Sequence, residues 1–276
     1  MFSEKFSQLI ESKKSLVCVG LDPDPIRMPT ESTVGFCTNI IDAVQKHVSA
    51  IKPNLAFFEA MGLDGLRDLK SVLDYVNERY PDLLIIGDGK RGDIGSTSGQ
   101  YAKAMFDYWG FHAITVNAFA GYDSIKPFLD YHDRGVFVWC KSSNPDGGQI
   151  QDIYVGDSKS ERFYEFFATM ISGWNSYGNV GIVVGATYPD ELKNVRQLCP
   201  GMPLLVPGVG SQSGDLEGSL VAGLDQQKHN LLINSSRSII YASERVEDYA
   251  EKAAEATFSL NDKIEHTLSI IGRSFT

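Results

Sequence analysis

Eight short apolar or β-branched runs recur along this chain, at residues 16–21, 50–53, 83–88, 113–117, 136–140, 180–185, 203–207 and 231–234. Between them lie stretches of helical periodicity, at 33–47, 65–80, 96–108, 158–174 and 189–198, and a last one at 243–271 that is expected to break near its middle. Strict strand–helix alternation requires crossover connections and therefore a parallel sheet. Eight repeats with no interruption at mid-chain favour a closed (β/α)8 barrel, the TIM barrel of the α/β class, over an open sheet. Residues 1–276 are expected to form one such barrel domain, preceded by a short amphipathic helix over 1–15. The one long loop, 141–157, carries Ser-Ser-Asn-Pro-Asp-Gly-Gly-Gln, and loops of that length are often functional.

A formal net charge of −10 and a pI near 5.0 argue against non-specific binding to nucleic acid or acidic membranes. An anionic substrate would need a locally positive pocket. Cys18, Cys37, Cys140 and Cys199 are scattered and form no CxxC pair, so they read as buried free thiols. The first fifteen residues resemble neither a signal peptide nor a membrane span. Both observations fit a reducing cytoplasm. His47, His112, His132, His229 and His266 show no metal-ligand spacing, and nothing indicates zinc.

In a barrel of this kind the C-terminal strand ends form the active face. Asp88 and Lys90 alternate across Gly89, so both should point the same way, into a lumen that normally holds Val, Ile and Leu. Charges are rarely fully buried unless paired or functional. The same face collects Asp22 after the first strand, Lys52 and Asn54 at the second, and Asp93 beyond the third. Asn117, then Lys141-Ser142-Ser143-Asn144, end the fourth and fifth. Gly208-Val209-Gly210-Ser211-Gln212-Ser213-Gly214 follows the seventh, and Asn234-Ser235-Ser236-Arg237 closes the series.

The last two segments suit an anion. Glycines let backbone N–H groups approach a phosphate, and Arg237 can grip one bidentately. Neither a full GxGxxG fingerprint nor a GxxxxGK[ST] loop is present. Each charged residue also has a plainer reading. Asp93 could cap the following helix, Asp22 before Pro23 could be a turn residue, and Lys52 before Pro53 could be a strand-edge lysine reaching solvent. Those readings do not explain why all of them share one face.

Asp88-x-Lys90-Arg91-x-Asp93-Ile94-x-x-Thr97 resembles the signature of the orotidine 5'-phosphate decarboxylases. Ile51-Lys52-Pro53-Asn54, Gly20-Leu21-Asp22-Pro23, Ser143-Asn144-Pro145 and Pro207-Gly208-Val209-Gly210-x-Gln212 are similar to further segments of that family. The likeness runs from Leu16 to about Ala242 and is strongest to the longer subgroup carrying the Ser-Asn-Pro loop. It implies a cofactor-free decarboxylase of pyrimidine biosynthesis, acting on a nucleotide. Lys52, Asp88, Lys90 and Asp93 would form an alternating charge network, with Lys90 protonating C6. It implies that Asp22 and Lys52 hold the ribose, that Ser143 and Asn144 meet the pyrimidine edge, and that Gly210, Gln212 and Arg237 form the phosphate site. It further implies a homodimer in which Asp93 and Thr97 complete the neighbouring site. Asn117-Ala118-Phe119 departs from the family's Asn-Pro-aromatic segment, and no role is assigned to Asn117.

Three alternatives stand beside this. Sugar-phosphate enzymes sharing the shorter DxKxxD core use a metal ion and an enediolate. A Schiff-base aldolase would use Lys90 as nucleophile, which flanking aspartates disfavour by keeping it protonated. A nucleotide-binding barrel without activity would have little use for buried acids facing an anion.

Overall fold

The computed structural model describes residues 1–156, 160–209 and 215–275. Eight strands close into a barrel: β1 (Val17–Leu21), β2 (Ala50–Pro53), β3 (Leu84–Arg91), β4 (Ala113–Val116), β5 (Gly135–Lys141), β6 (Val180–Val184), β7 (Leu204–Pro207) and β8 (Leu231–Ser235). Each pairs in parallel with its successor, and β8 closes on β1 through Val17↔Ile233, Cys18↔Asn234 and Val19↔Ser235. The Val/Ile/Leu content of the runs has a simple cause. Strands covered by helices outside and by each other inside have no solvent face to alternate with, and β1, β2, β4 and β6 are buried at every residue.

The amino-terminal helix, Phe2–Lys13, plugs the end of the barrel opposite the active face. Phe2 and Phe6 reach Phe137 of β5 with ring centroids 6.3 and 6.0 Å apart. Ser3 N–H donates to the carbonyl of Gly178, just before β6.

Three expectations change. The helix expected from 158 begins at Phe163 and runs to Gly173. Glu165 accepts the backbone N–H of Arg162 at 2.8 Å, which fixes the start there, while Glu161–Arg162 pairs antiparallel with Tyr154–Val155. The carboxy-terminal helix, Tyr249–Ile270, is continuous over 22 residues. Within it Asn261 has tertiary partners: its amide donates to the His47 carbonyl and accepts from Ser15 Oγ. The long loop after β5 has structure of its own, a 3₁₀ turn at Pro145–Gly147 and one helical turn at Gly148–Gln151.

No helix among the described residues is long and apolar enough to cross a membrane. All four cysteines are free and buried. Among the histidines, His112 accepts the backbone N–H of Ile85, a structural role.

Candidate active site

The site is built around an irregularity in β3. Pairing with β4 passes from Gly87↔Ile114 to Arg91↔Val116, so four steps along β3 match two along β4. Lys90 sits in this bulge with φ +44°, left-handed backbone that a non-glycine residue rarely adopts. Its N–H donates to Thr115 Oγ1 at 3.0 Å, and the Thr115 hydroxyl donates to Asp88 Oδ1 at 2.8 Å. Gly92 follows because a Cβ there would meet the Asn117 carbonyl oxygen at 1.9 Å.

Asp88 and Lys90 do face the same way, through the bulge rather than through regular alternation. Lys90 Nζ reaches Asp88 Oδ1 at 2.7 Å, and Lys52 Nζ pairs with Oδ2. Lys52 and Asp88 are buried, at 4% and 7% exposure, so Lys52 is no solvent-seeking edge lysine. The Lys90 side chain keeps 39% exposure at the pocket mouth, its ammonium 5.8 Å from the Trp139 ring.

Burial alone would raise the Asp88 carboxyl, but Lys52 and Lys90 together outweigh it and hold the group well below the usual carboxylate range. Burial likewise opposes charge on Lys52, and the carboxylates of Asp88 and then Asp22 overcome it, raising the ammonium above its ordinary value. Within one chain the charges therefore alternate Asp22, Lys52, Asp88, Lys90.

Asp22, Ser143, Asn144 and Arg237 line the same cavity of about 220 Å³, together with Gly208 and Val209. Asp22 and Asn234 both line this cavity, and Asp22 Oδ1 and Asn234 Oδ1 are buried without a hydrogen-bond partner among the described residues, which leaves both able to accept from a bound molecule. Gly210 and Gln212 lie outside the described residues. Asp93 and Thr97 do not line this cavity. Asp93 Oδ1 accepts the N–H of Ile94 at 2.6 Å, and the backbone of Asp93 exchanges hydrogen bonds with Ser98 Oγ. The helix Gly95–Lys103 has no side-chain cap, so the capping reading of Asp93 fails. Asn117 turns onto its own loop, accepting from Phe119 N–H at 3.0 Å.

Thr115 and Trp139 also line the cavity and were not singled out from sequence. Thr115 carried a signal, as the one polar residue in Ala113-Ile114-Thr115-Val116. Trp139 carried none, since a tryptophan in an apolar strand reads as core.

A model of the orotidine 5'-phosphate decarboxylase / HUMPS family matches residues 15–252. The chain belongs to that family. An orotidine 5'-phosphate decarboxylase of Aromatoleum aromaticum is 42% identical over 260 residues, covering 92% of this chain and 94% of its own. That of Thermomicrobium roseum is 44% identical over 271 residues, covering 96% and 95%. Among solved structures, a putative orotidine-monophosphate decarboxylase from Toxoplasma gondii superposes with a TM-score of 0.82 at 35% identity, covering 95% of this chain and 97% of that one. The UMP synthase of Leishmania donovani gives 0.82 at 38% identity. There the match covers 94% of this chain but 56% of that longer one. The matched span includes the β3 bulge that carries Lys90.

Proposed function

We propose that this protein is an orotidine 5'-phosphate decarboxylase, a carbon–carbon lyase that forms uridine 5'-phosphate in pyrimidine biosynthesis. The observation that carries the reading is the Lys52–Asp88–Lys90 ion triad set into the cavity at the strand ends. Losing carbon dioxide from C6 leaves an electron pair in an in-plane orbital that the pyrimidine ring cannot delocalise. The protein must then supply a positive charge beside C6 and a proton. Lys90 does both in this account: its ammonium stabilises the developing carbanion and then protonates it. Asp88 holds Lys90 in place, and Lys52 pairs with the other oxygen of Asp88.

A metal-assisted reading of the DxKxxD core is less favoured. Both oxygens of Asp88 are already engaged by ammonium groups, so a metal ion on that carboxylate would sit against two positive charges, which like-charge repulsion opposes.

Asp22 and Lys52 are assigned to the ribose hydroxyls, Ser143 and Asn144 to the pyrimidine edge, and Gly210, Gln212 and Arg237 to the phosphate. Asp93 and Thr97 are assigned to the neighbouring subunit's site in a homodimer. Their position away from their own chain's cavity is consistent with this. The charge network would then extend to Lys52–Asp88–Lys90–Asp93 across the interface. Four buried, unpaired thiols suit the cytoplasm.

One positioned acid contributes about 10²–10⁴-fold, whereas enzymes lower barriers by about 8–23 kcal/mol. The phosphate grip supplies more, by using remote binding energy to organise the charged site. The test is loss of the orotidylate absorbance band with excess EDTA present. Turnover indifferent to the chelator supports the reading; failure to consume orotidine 5'-phosphate, or dependence on a divalent cation, overturns it.

A further inference from the structure

Lys141 ends β5 with its side chain wholly buried, yet the chemistry above gives it no task. Its ammonium pairs with Asp152 and lies 4.8 Å from the centre of the Tyr188 ring and 5.3 Å from that of Tyr164. One residue on, the backbone N–H of Ser142 donates to Gln151 Oε1 at 2.9 Å. Residues 151 and 152 therefore fold back onto residues 142 and 141, and the chain between them becomes a closed loop.

That loop presents the tip facing the nucleotide cavity. Ser142 Oγ donates to Asn144 Oδ1 at 2.7 Å and accepts the Asn144 N–H at 3.0 Å, a tight turn with Ser143 at its centre. Ser143 lies so close to Gly185, just after β6, that a Cβ on that glycine would fall 2.7 Å from the Ser143 nitrogen. Gly185 N–H in turn donates to the Lys141 carbonyl at 3.0 Å. Burying an ammonium is costly unless a carboxylate is fixed beside it, so the pair tolerates few arrangements of the loop.

We propose that Lys141 and Asp152 are positioning residues whose ion pair closes the loop after β5 and sets Ser143 and Asn144 against the nucleobase. The proposal rests on the reading of the cavity as a pyrimidine nucleotide site. It accounts for a buried cation at the wall of the cavity whose charge is paired with a loop carboxylate, and for a long loop held at both ends.

A double-mutant cycle tests it, read as the affinity of the full-length protein for uridine 5'-phosphate by calorimetry. Asp152→Asn removes the charge from the less buried end, and Lys141→Met provides a second disruption. Each should weaken binding about tenfold, and Ser143→Ala should weaken it more than about twofold. Combining Asp152→Asn with Ser143→Ala should cost no more than the worse single change, because a displaced Ser143 has nothing left to lose. Losses that multiply, an Asp152→Asn protein that binds as wild type does, or a Ser143→Ala protein that does so, would each overturn the proposal. Turnover of orotidine 5'-phosphate by the wild-type protein is measured alongside. No turnover with coupled binding losses would sink the decarboxylase reading and leave the positioning role standing. Turnover with multiplying losses would do the reverse.

Discussion

Asp88 divides its carboxylate between two lysines, giving Oδ2 to Lys52 in the barrel interior and Oδ1 to Lys90 at the pocket mouth, 2.7 Å away. The interior pair is the costlier arrangement, and it makes the exposed ammonium available at a fixed place. Removing the shared carboxylate should therefore harm both the fold and the chemistry.

Asp88→Asn leaves Lys52 buried without its counter-charge and is expected to lower stability by about 3–5 kcal/mol, measured by denaturant unfolding. The pH dependence has a definite sign. The folded-state pKa of Asp88 is depressed, so its contribution is complete above the ordinary carboxylate value of about 3.9 and is lost as pH falls toward the depressed one. The gap between wild type and variant should be constant from neutrality to about pH 4 and shrink below it. A gap that closes between pH 7 and 5 would contradict this account of the triad.

Burial pushes the thiols up, Cys18 to about 12 and Cys199 to about 11, with Cys37 and Cys140 raised as well. The native protein should show no thiol reactive toward Ellman's reagent at pH 8, and the denatured protein four. Since these folded values lie above the unfolded ones, their contribution to stability is present below the ordinary thiol range and declines as pH rises past it. A fast-reacting thiol in the native protein would show that one of these sites opens.

Arg237→Ala should lower kcat/KM for the nucleotide far more than for the corresponding nucleoside, which lacks the phosphate. The comparison of the two substrates isolates the grip from any general damage. Equal losses on both would remove Arg237 from the phosphate site.

Mixed subunits test the crossing of the interface. Asp93→Asn and Lys90→Ala proteins should each be nearly inactive alone. After subunit exchange, a heterodimer carries one site with Lys90 from one chain and Asp93 from the other. Activity should reappear on mixing. Silence in mixtures shown to contain the heterodimer would mean that Asp93 serves its own chain or none.

Most of the barrel was legible because its cause is local: strands buried on both faces must be apolar along their whole length, and all eight runs became strands. The Asp88–Lys90 contact was legible in outcome but not in means. Period-two reasoning gives the shared face, while the bulge and the left-handed Lys90 depend on Thr115 from a neighbouring strand. The last helix shows the opposite failure. A break is expected near its middle, but the helix runs on and carries Asn261 to contacts with Ser15 and His47, more than two hundred positions away. Asp152 was invisible for the same reason, since only the folded loop brings it to Lys141.

The most direct test of the central claim is Lys90→Ala, assayed for carbon dioxide release from orotidine 5'-phosphate and, in parallel, for uridine 5'-phosphate binding. The expected result is turnover abolished with the nucleotide still bound. Decarboxylation persisting in the variant would contradict the assignment of Lys90 as the proton donor.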